Sequence, residues 1–275
     1  MNSREKHEKL KDILRSYESV AIAFSGGVDS TFLLKTARDV LGDKAIAITA
    51  RSRSFPQRER NDGREFCERE GIRQIFCDTE ELKVVSHNPP NRCYLCKNEI
   101  ITKLKSTLAS SDIGFEVKYV AEGTNMDDGD DYRPGHQAVI EHGLKSPLKE
   151  AGLYKAEIRE LSNELGIKTW DRPSFACLMS RFVYGETITE EKLEMVEKAE
   201  NLLLDAGFKQ VRVRIHGTIA RIETLPEDLP KIIEMAQQLS HELKSYGFTY
   251  VTLDLSGYRT GSMNETLPRK VLGKE

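Results

Sequence analysis

The feature that most constrains this chain is a six-residue turn, Ser-Gly-Gly-Val-Asp-Ser, at residues 25–30. It directly follows the apolar run Val20–Phe24 and precedes Thr31–Ala37, a segment with the composition of a helix. A short apolar run that ends in Ser-Gly-Gly predicts a buried parallel strand that meets a tight turn. Asp29 or Ser30 is placed to cap the helix that follows. The turn is therefore predicted to present backbone N–H groups at a helix N-terminus, an arrangement that binds anions.

This turn differs from the commoner phosphate-binding loops. It matches neither G-x-x-x-x-G-K-[ST] nor G-x-G-x-x-G, the nucleoside-triphosphate and dinucleotide motifs. The hexapeptide S-G-G-x-D-S resembles the PP-loop of the ATP pyrophosphatases, which hold the β- and γ-phosphates and cleave ATP between the α- and β-phosphates. The resemblance implies that an acceptor oxygen is adenylated and that pyrophosphate leaves. A Gly-Gly turn without a ligand is the alternative, and it does not explain the full hexapeptide in a strand–turn–helix setting.

The rest of the first two thirds of the chain alternates between strand-like and helix-like segments. Such alternation predicts an α/β fold with a parallel, doubly wound sheet, in which ligands bind at the carboxyl ends of the strands. The turns at Ser25 and Gly123 both lie at such ends. The further predicted strands are Ala45–Ala50, Ile72–Cys77 and Val117–Ala121, and the predicted helices are Glu8–Tyr17, 56–70, 93–108 and Lys155–Leu165.

The pattern changes after about Gly185. A long helix-like segment is followed by two strand-like stretches, a second helix-like segment at Leu229–Tyr246 and a last strand at Tyr250–Leu255. This order is typical of an α+β domain. We therefore expect a PP-loop, Rossmann-like domain at residues 1–185 and a smaller α+β domain at residues 186–275.

Composition restricts the class of protein further. The chain has 275 residues, of which 39% are hydrophobic and 31% charged, as in soluble globular proteins. Its formal net charge of −3 argues against broad, non-specific binding to nucleic acid. No apolar run approaches the roughly 20 residues of a membrane span, and residues 1–6 lack the apolar core of a signal peptide. We expect a cytoplasmic protein with no membrane and no nucleic-acid partner.

A second informative stretch runs from Gly123 to Gly135. It holds four aspartates within five residues, at positions 127, 128, 130 and 131, followed by Arg133. Clustered carboxylates repel one another unless water, a metal or cations screen them. At a strand end near phosphates, one or two of them could hold Mg²⁺ that bridges ATP oxygens, and Arg133 could neutralise phosphate. An acidic, solvated loop remains the alternative interpretation of this stretch.

The five cysteines of the chain indicate metal or redox chemistry more than disulfides. The count is odd, and disulfides are rare in cytoplasmic proteins. Cys67 falls in a polar helix and Cys77 in a buried strand, and free cysteines in such places are commonly inert. We assign no role to either.

The other three cysteines stand in more distinctive settings. Cys93 and Cys96 form one C-x-x-C, which fits zinc, redox or iron–sulfur use, although no second C-x-x-C completes a Cys₄ zinc site. Cys177 lies in a loop-like segment between Arg172 and Arg181, whose charges would favour a thiolate. Three cysteines can hold three irons of a [4Fe–4S] cube and leave the fourth iron open.

Arginines recur in the strand-like part of the second domain. Arg212 and Arg214 alternate along one strand and therefore share a face, and Arg259 follows the last strand. A cluster of guanidinium groups suits a phosphate monoester. The alternative is a solvated face in which these arginines pair with Glu223 and Asp254.

Taken together, these motifs make the sequence similar to the ATP-dependent sulfur transferases that build the nickel-pincer cofactor of lactate racemase, the LarE family of the PP-loop superfamily. The resemblance runs through nearly the whole chain. Besides S-G-G-V-D-S, it is carried by D-Y-R-P-G at 131–135, Cys177 with S-R-F-x-Y-G at 180–185, V-R-V-R at 211–214, I-A-R-I-E at 219–223 and Y-V-T-L-D-L-x-G-Y-R-x-G at 250–261.

The resemblance implies a specific reaction. The family uses ATP to adenylate carboxylates of a pyridinium mononucleotide derived from nicotinic acid adenine dinucleotide, and sulfur then displaces AMP to give thiocarboxylates. In members with one active-site cysteine, matched here by Cys177, that cysteine gives up its own sulfur and becomes dehydroalanine. This chain adds Cys93 and Cys96, which resembles a three-cysteine branch expected to hold a [4Fe–4S] cluster whose free iron binds sulfide. Self-sacrifice of Cys177 stays the alternative source of sulfur.

The resemblance and the motifs together give a set of candidate site residues. Cys177 and Asp29 are the candidate catalytic residues, and Arg212, Arg214 and Arg259 are expected to anchor the substrate phosphate. Cys93, Cys96 and Cys177 would hold the cluster, while Asp128 and Asp131 are candidates for Mg²⁺. The residues expected to bind ATP are Ser25, Gly26, Gly27, Asp29, Ser30, Ala50, Gly123 and Arg133.

Partners and other functions follow from the same comparison. We expect a homo-oligomer that acts between a carboxylase, which supplies its substrate, and a nickel-inserting enzyme. A tRNA thiolase also combines a PP-loop with C-x-x-C and a third cysteine, but it needs a basic RNA surface that the net charge of −3 does not suggest. An amidotransferase-like ligase would need an ammonia source, and a nucleotide sensor would leave the three cysteines unexplained.

Overall fold

The four apolar runs predicted as strands form one parallel sheet in the computed structural model, which describes residues 1–129, 134–173 and 176–267. The strand order is β3-β2-β1-β4, so the strand that leads into the Ser-Gly-Gly turn is central. Two of the candidate residues, Asp131 and Arg133, lie outside the described residues. The strands are β1 (Val20–Ala23), β2 (Ala45–Arg51), β3 (Gln74–Asp78) and β4 (Tyr119–Ala121).

Helices connect these strands, as expected for parallel neighbours. Between β1 and β3 the chain forms α2 (Val28–Leu41) and α3 (Gln57–Arg69), and α1 (Ser3–Tyr17) precedes the sheet. The further helices up to residue 164 are α4 (Glu81–Val85), α5 (Arg92–Ser110), α6 (Gly135–Glu141), α7 (Pro147–Glu150) and α8 (Lys155–Glu164). The α/β fold class predicted from the sequence is confirmed by this sheet of parallel strands with flanking helices.

Alternate residues of each central strand face opposite sides of the sheet. Because both sides are buried, residues of these strands are apolar on both faces, and the sequence shows continuous apolar runs. Val20 and Ile22 point into a core shared with α1, α2 and α8. Ala21 and Ile46 point into a second core that includes Leu104 of α5. Both faces of the sheet are therefore covered by helices, and the carboxyl ends of the strands are left as the place where a ligand can bind.

The described residues divide into two compact units. Unit 1 comprises residues 1–84 and 93–175 and contains the parallel sheet. Unit 2 comprises residues 85–92 and those from 176 onward. The segment from 176 to 185, which carries Cys177, therefore packs with the second unit. The predicted domain boundary at residue 185 stays a prediction.

Unit 2 is built on a three-stranded sheet with the order β5-β6-β7. Strands β5 (Val211–His216) and β6 (Ile219–Thr224) form an antiparallel hairpin, and β7 (Tyr250–Leu253) runs parallel to β6. The hairpin turn is Gly217-Thr218, and Gly217 has φ +63°, as a tight hairpin turn requires. The helices of this unit are α9 (Glu190–Asp205), α10 (Leu229–Glu234) and α11 (Ala236–Ser245).

The single helix expected at Leu229–Tyr246 is interrupted. Met235, which separates α10 from α11, has φ −90° and ψ 4°, so the backbone leaves helical geometry for one residue. The sequence contains no proline or glycine at this point, so neither of the usual breakers marks the interruption. In the part of the chain that the structure describes, no helix is long and apolar enough to cross a membrane.

Candidate active site

The Ser-Gly-Gly turn forms the predicted junction between β1 and α2. Gly27 is the N-cap of α2, with extended backbone angles, and no side chain caps the helix there. The expectation that Asp29 or Ser30 caps α2 is wrong, because the helix begins at Val28 and places both residues inside its first turn. The first amide groups of a helix have no partner within it, so this uncapped end offers N–H groups to an anion.

The turn owes its shape to Gly26 and to two serine hydroxyls. Gly26 has φ +80°, and a Cβ atom built on it would lie 2.9 Å from the Glu59 carbonyl oxygen. The Oγ atoms of Ser25 and Ser30 lie 3.1 Å apart, and the Ser30 hydroxyl donates to the Gly27 carbonyl at 3.2 Å. Only glycine meets both conditions at position 26 without strain.

The loop after β4 contacts the first turn of α2 directly. A Cβ atom on Gly123 would lie 3.1 Å from the Ser30 nitrogen and 3.2 Å from the Asp29 Cβ. Two residues later, the buried Asn125 donates from Nδ2 to Asp29 Oδ1 at 3.3 Å. The structure thus brings together two of the predicted loops, as their position at neighbouring strand ends implies.

Asp29 also pairs with a lysine that the sequence analysis did not single out. Lys155, the first residue of α8, donates from Nζ to Asp29 Oδ2. The two residues are 126 positions apart, and no local motif marks their meeting. The one available signal was that a predicted helix begins with a lysine after the acidic stretch.

The acidic loop uses two of its carboxylates to hold backbone amides. Asp127 Oδ2 accepts the Lys155 N–H at 2.6 Å, and Asp128 Oδ2 accepts the Asn125 N–H at 3.0 Å. The Asp127 N–H in turn donates to Asn125 Oδ1 at 2.9 Å. These bonds give the loop a defined shape, while the assignment of Asp128 and Asp131 to Mg²⁺ stays a prediction.

The carboxyl end of β2 carries a buried polar cluster next to the predicted adenine position at Ala50. Glu81 is 0% exposed, and its Oε1 accepts the Ser52 hydroxyl and, at 2.8 Å, the Ser54 hydroxyl. The Ser54 N–H donates to Ser52 Oγ at 2.9 Å. Glu81 Oε2 has no hydrogen-bond partner within the described ranges. The buried Glu81 carboxylate therefore holds the segment 52–54, which directly follows β2, in place.

The cysteine pair lies at the start of α5, within unit 1. Cys93 is exposed and Cys96 is half-buried, and residues three apart in a helix share a face. Gly135 of α6 packs against the start of this helix, since a Cβ on it would lie 3.2 Å from the Cys93 carbonyl oxygen. Lys97 Nζ lies 3.9 Å from a carboxylate oxygen of Glu122, the residue before Gly123. The pair is thus connected to the loop that contacts the Ser-Gly-Gly turn.

Cys177 belongs to unit 2, where its backbone is held by a fully buried arginine. The Arg181 Nη1 donates to the carbonyls of Ala176 at 2.6 Å and Cys177 at 3.0 Å. The same guanidinium makes two further bonds, at 2.8 and 2.9 Å, to the two carboxylate oxygens of Glu200. Burial raises the pKa of Glu200, but the charge and hydrogen bonds of Arg181 lower this pKa below its usual range overall. Arg181 therefore fixes the backbone at Cys177.

The remaining two cysteines differ from these three. Cys67 and Cys77 are both buried in unit 1. Burial raises the pKa of Cys67 to about 12 and that of Cys77 to about 11. Both thiols are therefore protonated at neutral pH, in line with the absence of an assigned role. Among residues 1–129, 134–173 and 176–267, no three His, Cys, Asp or Glu side chains are arranged to hold a metal ion.

The predicted phosphate-binding arginines lie in unit 2, and two of them are buried. Arg214 is 5% exposed and makes two bonds, at 2.8 and 3.0 Å, to one carboxylate oxygen of Glu223. Arg259 is more exposed and lies 3.6 Å from an Asp254 carboxylate oxygen. Arg214 thus pairs with Glu223 and Arg259 with Asp254, as the alternative interpretation expects, but Arg214 is buried and not on a solvated face, and the assignment of these arginines to a phosphate stays a prediction.

Arg212 is the third of these arginines, and it is the most deeply buried of them. It is 3% exposed, its guanidinium stacks 5.5 Å from the Tyr258 ring centroid, and Nη1 donates to the Val211 carbonyl. Burial first, and then the charge of Arg181, lower the pKa of Arg212 to about 10, although the Glu200 carboxylate acts in the opposite direction. Because burial disfavours any charge, this lowered pKa does not by itself identify an anion site, and the assignment of Arg212 to a phosphate stays a prediction.

Comparison with known proteins places the chain among relatives of similar length. No protein-family model matches it. It is 36% identical over 262 residues to the pyridinium-3,5-bisthiocarboxylic acid mononucleotide synthase of Lactiplantibacillus plantarum, and the match covers 94% of each chain. It is 42% identical over 268 residues to an uncharacterized protein of Synechocystis, covering 96% of this chain and 98% of that protein. It is 28% identical over 203 residues to one of the subunits of the glutamine-hydrolyzing GMP synthase of Thermoplasma acidophilum, covering 67% of this chain and 63% of that subunit.

Proposed function

Because the chain belongs to the family of the pyridinium-3,5-bisthiocarboxylic acid mononucleotide synthase, within the PP-loop superfamily, we propose that it is an ATP-dependent sulfurtransferase. Its substrate would be a pyridinium-3,5-dicarboxylate mononucleotide, whose carboxylates become thiocarboxylates for a nickel-pincer cofactor. The observation that carries the proposal is the uncapped N-terminus of α2, with the Gly123 loop against it, in a chain that matches the synthase over nearly its full length.

The first half-reaction would take place in unit 1. The N–H groups at Gly27 and in the first turn of α2 would hold the β- and γ-phosphates of ATP, with adenine near Ala50 and Gly123. A substrate carboxylate oxygen would attack the α-phosphorus, and pyrophosphate would leave with the electron pair of the broken P–O bond. The resulting acyl-adenylate is a good electrophile because AMP leaves as a stabilised phosphate.

Mg²⁺ is the metal that the PP-loop superfamily implies. Oxygen ligands suit it, and Asp29 presents a half-buried carboxylate in the first turn of α2. We assign Asp29, together with Asp128 or Asp131, as the residues that would hold it. When bound, Mg²⁺ supplies positive charge to the phosphate oxygens.

In unit 2, we assign Arg212, Arg214 and Arg259 to the substrate phosphate. What supports this assignment is that the buried Arg212 and Arg214 alternate along one strand, since grouped guanidinium groups suit a phosphate monoester. Binding energy at a remote phosphate can position the reacting carboxylate. Arg259→Gln should raise the KM for the mononucleotide about tenfold and leave the KM for ATP unchanged, since it removes one charge-assisted contact. Arg4→Gln removes an exposed arginine paired with Glu164 and is the control.

For the sulfur, we propose that Cys93, Cys96 and Cys177 hold a [4Fe–4S] cluster. The donor set fits in its chemistry, because iron–sulfur clusters are held by cysteine thiolates and none of the three thiols is fully buried. The described residues do not form a ready-made three-ligand group. When bound, such a cluster supplies sulfide on its fourth iron. The alternative source is the sulfur of Cys177 itself.

Three measurements test the proposal. Pyrophosphate release that requires both ATP and the dicarboxylate mononucleotide tests the activation step, and a chain that releases none is not this enzyme. Anaerobically reconstituted protein should hold about four irons per chain. If Cys93→Ala, Cys96→Ala and Cys177→Ala all keep the iron, the ligand assignment is wrong. Mass spectrometry after turnover should show intact Cys177, whereas conversion to dehydroalanine would establish the sacrificial route.

The setting of the reaction is proposed on the same family membership. We propose a homo-oligomer in the cytoplasm that takes its substrate from a carboxylase and passes its product to a nickel-inserting enzyme. The size of the native protein in solution tests the oligomer. Conversion of the product by a nickel-inserting enzyme in a coupled assay tests the pathway position.

A further inference from the structure

Lys155 is the lysine that approaches the Ser-Gly-Gly turn through an ion pair with Asp29. Its ammonium contacts Asp29 Oδ2, while Asn125 Nδ2 donates to the other oxygen, Oδ1. The lysine and aspartate side chains are 26% and 23% exposed, so both are reachable from the site. Asp29 thus has a donor on each carboxylate oxygen before any nucleotide binds.

The position of this lysine is fixed by the acidic loop. Its backbone N–H donates to Asp127 Oδ2 at 2.6 Å, and Asp127 is itself held by Asn125. The same loop contacts the first turn of α2 at Gly123. The backbone of Lys155 is therefore anchored, while its four-carbon side chain can move from one oxygen to another nearby.

A second ion pair on the same helix turn shows what a purely structural contact looks like here. Lys6 of α1 donates to both carboxylate oxygens of Glu157 in α8, at 2.7 and 2.8 Å. The Lys6 and Glu157 side chains are 15% and 22% exposed, so this pair is as buried as the pair of Lys155 and Asp29. It joins α1 to α8 and includes no residue of the Ser-Gly-Gly turn. The first turn of α8 thus makes two ion pairs: Glu157 pairs with Lys6 of α1, and Lys155 pairs with Asp29 of the Ser-Gly-Gly turn.

We propose that Lys155 is a catalytic residue of adenylation that rests on Asp29 and transfers to a phosphate oxygen when ATP and its metal ion bind. The inference rests on the proposed function. A metal ion at Asp29 competes with the ammonium, because the ammonium already contacts Oδ2 and two cations on one carboxylate repel each other. Once displaced, the ammonium lies beside the first turn of α2, where the phosphates are expected.

The step leaves the protonation of Lys155 unchanged. The substrate carboxylate oxygen forms its bond to the α-phosphorus, and the bond from the α-phosphorus to the bridging oxygen breaks. The electron pair goes to pyrophosphate, whose new negative charge the ammonium stabilises. Asp29 exchanges one cation for another and stays ionised throughout.

The test compares Lys155→Met with Lys6→Met in otherwise intact protein. Lys155→Met should lower kcat for pyrophosphate formation about 10²- to 10³-fold, as loss of one group that stabilises transition-state charge does. Lys6→Met should leave kcat within about twofold while removing an ion pair of similar burial from the same helix turn. Lys155→Arg should recover part of the lost kcat, since it restores the charge with a different shape.

A measurement of metal binding distinguishes exchange of the Lys155 ammonium for a metal ion at Asp29 from a purely structural role of Lys155. Mn²⁺ titrated without ATP and followed by electron paramagnetic resonance should bind Lys155→Met about two- to fivefold more tightly than wild type, because the competing ammonium is gone. Equal kcat for the two methionine variants, or unchanged Mn²⁺ affinity, overturns the inference. A wild-type protein that releases no pyrophosphate overturns the proposed function instead, and the Mn²⁺ titration still decides the exchange.

Discussion

Replacing Gly26 with alanine tests whether the Ser-Gly-Gly turn depends on a close backbone approach. At φ +80° the residue is in the left-handed region, and the added Cβ would lie 2.9 Å from the Glu59 carbonyl oxygen of α3. Gly152 offers a matched control in the same unit. It also has φ +80°, and nothing lies within 4 Å of a Cβ built on it.

The two substitutions share one cost and differ in another. Left-handed backbone costs an L-residue about 1–2 kcal/mol, and the loss of chain entropy in the unfolded state returns about 0.4–1 kcal/mol in both variants. Only Gly26→Ala adds a steric contact with backbone, for which about 1–3 kcal/mol is typical. We therefore expect the free energy of unfolding to fall by about 1–3 kcal/mol more in Gly26→Ala than in Gly152→Ala.

The single tryptophan of the chain makes the measurement specific. Trp170 lies in unit 1 with both glycines, so urea unfolding followed by its fluorescence reports on that unit. Nucleotide binding should separate the variants further. Each 1.4 kcal/mol of lost binding free energy weakens affinity about tenfold, and we expect at least that loss for ATP in Gly26→Ala alone.

Two outcomes would refute this expectation. If the two variants unfold at the same urea concentration and bind ATP equally well, the close approach at Glu59 does not shape the turn. If Gly152→Ala is the less stable of the two, the two positions do not share one backbone cost and the contact at Glu59 adds none, so the reasoning is refuted.

Three further predictions concern other parts of the molecule. At pH 8, Cys93 should react with iodoacetamide at least tenfold faster than Cys67 or Cys77, whose raised pKa values and burial keep them protonated; mass spectrometry of peptides gives the rates. Glu200→Gln should destabilise unit 2 by about 3–5 kcal/mol at pH 7, because it leaves Arg181 buried beside a neutral group. The pKa of Glu200 in the folded protein lies below its usual value of 4.5, so the ionised Glu200 stabilises the fold above pH 4.5. This stabilisation is lost as the pH falls through the folded pKa. Urea unfolding followed by circular dichroism should therefore show the free energies of unfolding of wild type and Glu200→Gln converging in acid. Glu81→Gln keeps an acceptor for both serines, whereas Glu81→Leu does not, so only the leucine variant should raise the KM for ATP, measured by pyrophosphate release.

The parts of the molecule that the sequence predicted well are those encoded locally. Each strand of the parallel sheet was marked by a short apolar run, and the Ser-Gly-Gly turn by its neighbours on both sides. The contact between the Ser25 and Gly123 turns was also predictable, because parallel strands end at the same edge of a sheet.

The parts that could not be predicted depend on how helices pack. Lys155 reaches Asp29 only because α8 begins beside the first turn of α2, and neither residue's neighbours in sequence contain that information. Nor does the sequence show that the Arg181 guanidinium pairs with Glu200 and holds the backbone carbonyls of Ala176 and Cys177. Burial determines which partner a charged group takes, and burial is a property of the tertiary structure.

The crossing of distant segments at the first turn of α2 has a consequence for how the protein is made. Asn125 lies 96 residues beyond Asp29, and Lys155 lies 126 residues beyond it. A ribosome that has synthesised only the first sheet strands has therefore produced the turn without the groups that complete it, and contacts of such long range form late in folding. A ligand that needs the complete site is then excluded from the nascent chain and binds only after most of unit 1 has folded. Such a ligand would stabilise the finished unit without trapping an unfinished one.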